Sequence, residues 1–558
     1  MFESLQDISM SNLLDLLLYN PNSPLVFYTG LFLILFLFFL GIYWLTKSSF
    51  KINSIFVILF SLYFYYKSSE YYCFMLLALC ISDYSIGRIL GQTNKQKWRK
   101  VLVSLSVILN IGILTYFKYF NLLLSTIANI QNVAYEPLNI ILPAGISFIS
   151  FRSMSYIIDI YRKDIAPEKN ILNYIFFLTF FPPLLAGPVV RAKDMLPQIK
   201  ANQPATEAMI GSGFFLIMCG LIKKAVIADY LGVNFIDRIF DNPTLYTGFE
   251  NIMAVIGYAL QIYCDFSGYS DMAIGLALLL GYKFKDNFNA PYKSKNPSEF
   301  CHRWHISLST WLRDYLYIPL GGNRQMSIAS YIWFAILLIS GTYISYNLLI
   351  NYENSYVQPI LGVILSVSLL YLIVSTFIAP DRRKNIITSM HLFVTMLVGG
   401  LWHGASWMFV LWGAWTGMLL IVHKQIKKLY HLPEEKRNNK WRIVSNIIIT
   451  FILMLVGWIF FRSPNITIVQ SIFTQITTHF TAGDPNFIYT FVSSYPLITL
   501  AIISGYLMHF APKKWTTILN DNYTKSPLIV KSIILTVILF IVIQASQSEL
   551  VPFIYQQF

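Results

Sequence analysis

Long apolar runs recur along almost the whole chain, and they constrain its fold more than any other feature. A helix needs about 20 mostly apolar residues to cross a bilayer, whereas the strands of a membrane barrel alternate apolar and polar residues. These runs do not alternate, so we predict roughly a dozen or more transmembrane, re-entrant and amphipathic helices. The clearest runs span residues 25–44, 54–66, 72–90, 101–123, 171–185, 209–231, 252–280, 331–350, 361–378, 408–423, 443–461, 496–507 and 529–543. The sequence therefore predicts an all-α polytopic integral membrane protein.

The chain is basic, with a formal net charge of +14, although only 12% of its residues are charged. A basic chain can bind nucleic acid, but these cations cluster in short loops between apolar runs, as cytoplasmic loops of membrane proteins do. The clusters are Lys95, Lys97, Arg99 and Lys100; Arg382, Arg383 and Lys384; and Lys424, Lys427, Lys428, Lys436, Arg437, Lys440 and Arg442. We therefore predict a multi-pass protein that contacts membrane lipid, with these loops in the cytoplasm, and no nucleic-acid partner.

No polar stretch is longer than a loop, so residues 1–558 are predicted to form a single integral membrane domain. Glycine and proline interrupt the apolar pattern at residues 142–145, 182–188 and 319–322. Backbone that is broken at membrane depth must be buried in protein or line a cavity. The breaks therefore predict helices that enclose a polar tunnel.

Residues 298–324 hold two histidines, three arginines and an aspartate within this apolar chain. Polar groups at membrane depth are costly and usually mark a functional site. Asn296 is the predicted N-cap of a helix that begins at Pro297, with Glu299 completing a capping box. The helix is predicted to end at Pro319 and the Gly-Gly pair that follows it. One face would carry Phe300, Trp304, Leu308, Trp311 and Tyr315, and another would carry His302, His305 and Ser309.

A second candidate site is the lone histidine of the sequence Gly399-Gly400-Leu401-Trp402-His403-Gly404. The pairs Gly400/Gly404 and Gly413/Gly417 have the four-residue spacing that lets helices approach closely. Four tryptophans are predicted to surround His403, namely Trp402, Trp407, Trp412 and Trp415. Burial would favour the neutral imidazole, which can accept a proton as a general base does.

Structural explanations compete with the functional ones. A histidine in an apolar helix is more often a hydrogen-bonded structural group than a catalyst, and the tryptophans are by default core packing. Asp265 and Asp271 also lie in an apolar run, where pairing with Arg303 or Arg313 would explain them. His302 and His305 have the spacing of two metal ligands, but no further ligand follows, so no metal is predicted.

The order of uncommon residues resembles the membrane-bound O-acyltransferase family. The resemblance is carried by Arg303-Trp304-His305-Ile306-Ser307-Leu308-Ser309, by Arg313-Asp314-Tyr315-Leu316-Tyr317-Ile318-Pro319-Leu320-Gly321-Gly322, and by residues 397–407. It covers roughly residues 140–558 and points to the bacterial branch that contains the alginate O-acetyltransferase. Residues 1–139 match weakly, and two extra apolar segments lie within residues 327–379.

The resemblance implies an O-acyltransferase in the bacterial inner membrane that acetylates a polysaccharide outside the cytoplasm. His403 would correspond to the catalytic histidine of the family, and His305 to its second conserved polar position. Further candidates for substrate binding or the tunnel are Arg303, Trp304, Asp265, Ser267, Asp271, Ser309 and Trp402, with Arg313 and Asp314 as structural support. Acetyl-CoA is the expected acyl donor, with no bound cofactor, and an SGNH-type acetyltransferase outside the cytoplasm is the expected partner protein.

Three alternatives stay open. Another branch of the same family transfers D-alanine from a carrier protein to teichoic acid. A polysaccharide or lipid transporter would also have broken helices and polar groups near the bilayer midplane. Transporters usually contain inverted repeats, which this sequence lacks. The third alternative is a scaffold for a complex of the cell envelope.

Overall fold

The computed structural model describes residues 16–21, 23–323, 327–350, 380–429 and 439–545, together with residues 362, 363, 365, 366, 370 and 373. Within this part of the chain every regular element is helical. The α-helices are α1 Gly30–Thr46, α2 Phe50–Ser69, α3 Tyr72–Gln92, α4 Gln96–Leu114, α5 Phe120–Gln131, α6 Ile146–Arg162, α7 Ile171–Thr179, α8 Ala192–Ala201, α9 Glu207–Leu221, α10 Asp237–Asp241, α11 Gly248–Leu279, α12 Pro297–Arg303, α13 Ile306–Leu312, α14 Ile318–Leu320, α15 Ile328–Ile350, α16 Pro380–His403, α17 Trp407–Leu429, α18 Lys440–Arg462, α19 Ile466–Thr478, α20 Phe487–Ser494, α21 Pro496–Phe510, α22 Lys513–Lys525 and α23 Leu528–Ala545. Segments of π-helix extend several of them, including Ile222–Asp229 after α9 and Arg313–Tyr317 after α13.

Several of these helices are long and apolar enough to cross a bilayer. Among the described residues six qualify by length and composition. The pair α20 and α21, bent by 95°, would add a seventh as a broken span or a re-entrant loop. The prediction of an all-α polytopic membrane protein is therefore confirmed. Of the two extra apolar segments, the first forms α15, whereas residues 361–378 lie mostly outside the described part of the chain.

Contacts divide the chain into two compact units. Unit 1 contains the described residues of Met1–Pro291, Arg303–Ser307 and Arg462–Phe558. Unit 2 contains those of Tyr292–His302 and Leu308–Phe461. The single membrane domain inferred from the sequence stays a prediction.

Unit 1 is built around the contact between α9 and α11, which touch through glycine. A Cβ atom on Gly220 would lie 2.5 Å from the carbonyl oxygen of Gly268, and one on Gly275 would lie 2.6 Å from that of Gly213. Both distances are too short for any side chain, so the two backbones meet directly. In lipid, burial of apolar surface contributes little free energy to helix association. Close packing of small residues drives the association instead.

The close approach brings two consecutive lysines against two aspartates of α11. Lys223 Nζ lies 2.6 Å from Asp271 Oδ2, and Lys224 Nζ lies 2.6 Å from Asp265 Oδ1. Lys224 also contacts Asp229 at 2.7 Å and is 1% exposed. Pairing with arginine was one explanation of these aspartates, and the structure gives them lysine partners, because glycine packing places Lys223 and Lys224 opposite them.

The predicted backbone breaks are confirmed, and the one within residues 180–190 is fully buried. Gly145 precedes α6 in the left-handed region, with φ of 69°, and a Cβ there would lie 2.6 Å from Leu184 O. Residues 180–190 contain no helix, and they are all buried. In unit 2, α14 ends at Leu320, and Gly321 follows with φ of 122°.

Replacing Gly220 by alanine is expected to destabilise the protein by roughly 1–3 kcal/mol, because the added methyl group forces α9 away from α11. The measurement is thermal unfolding in detergent. Gly112→Ala is the matched control, since a Cβ at that helical position meets nothing within 4 Å. Equal unfolding temperatures for the two variants would contradict the glycine contact.

Lys224→Met is expected to cost about 3–5 kcal/mol, because it leaves Asp229 and Asp265 without their buried cation. Lys285→Met serves as control, since Lys285 pairs with Asp194 at 3.0 Å but its side chain is 82% exposed. An exposed pair contributes about 0–1 kcal/mol. Urea unfolding in mixed micelles compares the two, and similar losses would refute the importance of the buried pair.

Candidate active site

His403 is the last residue of α16, and three aromatic rings enclose it. The imidazole meets the rings of Trp402, Trp412 and Phe461 edge-on, with centroid distances of 5.0, 4.9 and 5.3 Å. Trp458 stacks on Trp412 at a centroid distance of 6.1 Å. We call the rings of Trp402, Trp412, Trp458 and Phe461 the aromatic wall around His403. His403 is 3% exposed. The ring is therefore held by aromatic packing from α16, α17 and α18.

The tryptophan cluster agrees with the sequence only in part. Trp402 and Trp412 contact the imidazole, as predicted. Trp415 instead donates its Nε1–H to the carbonyl oxygen of Leu453, and Trp407 is 57% exposed. Phe461 contacts the imidazole at a position where a tryptophan was predicted. Phe461 lies at the end of α18, and its aromatic neighbours in the sequence were the only signal for this contact.

Glycine contacts between α16 and α17 fix the position of His403. A Cβ on Gly400 would lie 2.2 Å from Phe409 O, and one on Gly413 would lie 2.4 Å from Met396 O. A Cβ on Gly404 would collide with the ring of Phe409 at 2.1 Å. The predicted close approach of these helices is therefore confirmed. It places the end of α16 that carries His403 directly against α17.

His403 lies at the opposite end of the α16–α17 hairpin from the basic residues. At the far end, Asn385 Nδ2 donates to Gln425 Oε1 at 3.0 Å, and Lys424 Nζ donates to Asn385 O at 3.2 Å. Asn385 and His403 are eighteen residues apart on one helix, which corresponds to about 27 Å along its axis. His403 and the lysine Lys424 therefore lie at opposite ends of the α16–α17 hairpin.

His305 lies in a break between α12 and α13, where the sequence predicted one continuous helix. Its φ is 42°, which is left-handed backbone. Ile306 N donates to Asn287 O at 2.9 Å, and Ser307 N donates to Asn287 Oδ1 at 3.2 Å. In a helix these two groups would donate to the carbonyls four residues earlier. The continuous helix was wrong because Asn287 takes over those hydrogen bonds.

The predicted helix start is confirmed, with one difference. Asn296 Oδ1 accepts from Glu299 N at 2.9 Å, as an N-cap does. Glu299 Oε2 accepts from the backbone of Lys295 at 2.9 Å, one residue earlier than a capping box requires. The predicted polar face is wrong, because the break separates its members. His302 is exposed, His305 is 1% exposed and Ser309 is half-buried.

Polar and aromatic groups of unit 1 fix the ring of His305. Its Nδ1 lies 3.2 Å from Asn287 Oδ1, and the ring of Phe266 meets it edge-on at 4.6 Å. Asn287 Oδ1 also accepts from Ser307, so it is an acceptor toward the histidine as well. Nδ1 therefore carries the proton, which leaves the lone pair on Nε2. Burial lowers the pKa of His305 to about 3.

The other candidates of unit 1 lie beside this ring or on α11. Trp304 packs edge-on against Phe288 at 5.1 Å, and Arg303 donates to Asn289 O at 3.0 Å. Asp265 and Ser267 flank Phe266, which contacts His305. The structure thus brings Phe266 to His305, whereas Asp265 pairs with Lys224, and Lys223 holds Asp271 one to two turns further along α11.

In unit 2, Arg313 Nε pairs with the adjacent Asp314 at 2.7 Å, and the arginine side chain is 57% exposed. This pair is consistent with support of the segment rather than with contact to a buried substrate. Sequence reasoning missed Asn287, Lys223 and Lys224. The two consecutive lysines inside the apolar run 209–231 were a usable signal, because two cations at membrane depth require carboxylate partners.

Comparisons with known proteins identify the family. A sequence model of the membrane-bound O-acyltransferase family matches residues 162–340 and 383–462. A probable alginate O-acetylase of Azotobacter vinelandii is 34% identical over 82% of this chain and 79% of its own length. A peptidoglycan O-acetyltransferase of Helicobacter pylori is 31% identical over 79% of this chain and 78% of its own.

A more distant relative performs a different transfer. The teichoic acid D-alanyltransferase of Bacillus subtilis is 22% identical over 59% of this chain and 70% of its own length. The segments that hold His305 and His403 both fall within the matched family regions. This chain therefore belongs to the membrane-bound O-acyltransferase family, in its alginate O-acetylase-like branch, and is an integral membrane O-acyltransferase.

Proposed function

We propose that the protein transfers an acetyl group from a cytoplasmic thioester, most simply acetyl-CoA, to a hydroxyl of an extracytoplasmic polysaccharide. The main support is the identity of 31–34% to an alginate O-acetylase and a peptidoglycan O-acetyltransferase over about four fifths of the chain. The D-alanyltransferase is less similar and covers less of the chain. The bacterial inner membrane is the site of action in this proposal.

His403 is the proposed general base. Its neutral imidazole removes the proton of the acceptor hydroxyl while the hydroxyl oxygen attacks the thioester carbonyl carbon. The carbon–sulfur bond then breaks, and the imidazolium returns the proton to the departing thiolate, so no proton is gained or lost overall. General-base assistance of this kind contributes about 10²–10⁴-fold to the rate. The aromatic wall around the ring supports the proposal, because it limits access of water that would hydrolyse the thioester.

The position of His403 along its helix supports an acceptor that arrives from outside the cell. Basic residues mark the cytoplasmic ends of membrane helices. The α16–α17 hairpin has these residues at one end and His403 at the other. A polymer outside the cytoplasm therefore needs a shorter path to His403 than a cytoplasmic thioester does. In this proposal the SGNH-type partner that the family resemblance implies completes delivery to the final polymer.

His305 is proposed to position the acceptor hydroxyl rather than to polarise the acyl carbonyl. Its Nδ1–H is directed at Asn287 Oδ1, so Nε2 bears a lone pair. A lone pair can accept a hydrogen bond from a hydroxyl, but it cannot donate one to a carbonyl oxygen. Trp304, Arg303 and the Asp265–Ser267 segment would support this ring. Roles in substrate binding for Ser309, Asp271 and Trp402 stay predictions.

Replacing His403 is expected to lower acetyl transfer by about 10²–10⁴-fold. The measurement uses the full chain in detergent with radiolabelled acetyl-CoA and an acetylatable polysaccharide, and it compares His403→Ala with wild type. His423→Ala is the control, because His423 lies on the same hairpin at the basic end. If folded His403→Ala protein transferred acetyl at the wild-type rate, His403 would not be the general base. Transfer of D-alanine from a carrier protein in place of acetyl would favour the alternative function.

The buried, neutral His305 should make stability depend on pH. An unfolded histidine titrates near 6.5, whereas burial lowers the pKa of His305 to about 3 in the folded protein. Between these values the unfolded state binds the extra proton, so stability is expected to fall as pH decreases from 7 to 5. The slope from one such group is up to about 1.4 kcal/mol per pH unit.

His305→Asn should remove this part of the slope, whereas His302→Asn should retain it because His302 is exposed. Thermal unfolding at pH 5, 6 and 7 measures the difference between each variant and wild type. An unchanged slope in His305→Asn protein would show that this imidazole is accessible to protons in the folded state.

A further inference from the structure

A second buried histidine of α16 is hydrogen-bonded to two other elements of unit 2. His391 precedes His403 by twelve residues and is 0% exposed. Its Nδ1 lies 2.9 Å from the carbonyl oxygen of Gly322, and its Nε2 lies 2.9 Å from Ser330 Oγ. Gly322 follows the end of α14, and Ser330 belongs to the first turn of α15. One imidazole thus joins three segments that are separate in sequence.

We call residues 308–322 the signature segment. The hydrogen bond from His391 to Gly322 O caps the C-terminal end of this segment. The last carbonyl groups of a helix have no partner within it and need one from elsewhere. His391 Nδ1–H donates to Gly322 O, and Ser330 Oγ, which also lies close to Leu320 O, provides the donor for Nε2 of the same ring. Gly321 and Gly322 both adopt positive φ, of 122° and 54°, which turns these carbonyls toward α15 and α16.

The signature segment and α16 run antiparallel and touch at two levels. Near the His403 end, a Cβ on Gly399 would lie 3.2 Å from Leu312 Cδ1. Near the other end, His391 binds Gly322. A buried cluster of Leu320, Phe334, Met390 and Val394 packs beside the His391 contact. Apolar packing tolerates small sliding movements, but a hydrogen bond between fixed atoms does not, so His391 sets the axial register of the two segments.

We propose that His391 is a positioning residue for acyl transfer, which it serves by holding α16 in register with the signature segment. This inference rests on the proposed role of His403. A slip of one residue would move His403 by about 1.5 Å along the helix axis. A displacement of about 1 Å at a reacting group can lower a rate by 10²-fold. The hydrogen bond to Gly322 O therefore acts on the reaction through His403, without contact to the substrate.

The two nitrogens of His391 can be tested separately. The amide nitrogen of asparagine reaches about the position of Nδ1, whereas that of glutamine reaches about the position of Nε2. His391→Asn should therefore retain the bond to Gly322, and His391→Gln should retain only the bond to Ser330. His391→Phe keeps the ring but loses both bonds. Thr395→Val is the control, because Thr395 Oγ1 donates to His391 O within the same helix and joins no other element.

The experiment measures kcat and KM for acetyl transfer per folded molecule, with hydrogen–deuterium exchange of the amides at residues 318–323. We expect kcat to fall roughly tenfold in the Gln and Phe variants at unchanged KM. The Asn and Thr395→Val variants should stay within about twofold of wild type. Exchange at the turn should increase only in the Gln and Phe variants.

Three results separate the possible failures. Equal turnover in the Asn, Gln and Phe variants would overturn the positioning role. Unchanged exchange at the turn in the Phe variant would overturn the importance of the contact itself, whatever the activity. Absence of acetyl transfer by the wild-type protein would instead overturn the proposed function, and the exchange data would still decide whether His391 holds the turn.

Discussion

Direct backbone contact between helices, made possible by glycine, is the interaction on which the rest of this structure depends. Lipid tails are as apolar as leucine side chains, so helices in a bilayer gain little from burying apolar surface against each other. Close packing replaces that driving force. Gly220 against Gly268 in unit 1 and Gly400 against Phe409 in unit 2 both leave less than 3 Å for an added methyl group. Gly400 lies three residues before His403, and Gly268 lies two residues after Phe266, whose ring contacts His305.

The glycine contacts also determine which polar groups meet. Lys223 and Lys224 follow Gly220 within one helical turn, and Asp265 and Asp271 lie on either side of Gly268. Antiparallel packing through the two glycines places each lysine opposite one aspartate. A buried ion pair adds little net stability compared with apolar packing, but losing one partner is costly. These ion pairs therefore mainly disfavour incorrect registers between α9 and α11, in which a buried charge would lose its partner.

The fold class and part of the surroundings of His403 could be predicted because they depend on local sequence. Apolar runs predict spans, and the four-residue spacing within Gly400/Gly404 and Gly413/Gly417 predicts a close approach of helices beside the histidine, whereas Phe461 comes from a distant helix. The break at His305 could not be predicted in this way. Residues 297–320 have a helical pattern throughout, and the competing acceptor is Asn287, which local pattern does not connect to them. The family resemblance named both histidines but gave no sign of that break.

Three buried polar side chains follow one rule. Lys224, His305 and His391 each obtain partners from a segment other than their own helix, namely α11, the loop at Asn287 and the turn at Gly322. In low dielectric such bonds are strong when they are made and costly when they are missing. Each one therefore penalises a displacement that apolar packing would permit. Precise placement of an imidazole in a lipid-embedded enzyme requires this kind of restraint.

The distance between His403 and the basic end of its hairpin determines which reactant must travel. About 27 Å of membrane-spanning helix separates them. A polysaccharide is too large and too polar to pass between packed helices, whereas an acetyl group on a flexible thioester arm is small and neutral. Under the proposed function the acyl group therefore makes the longer passage, and the polymer stays outside. In the same proposal His403 lies at the extracytoplasmic end, so the bulky acceptor needs only a shallow approach to the proton-accepting nitrogen.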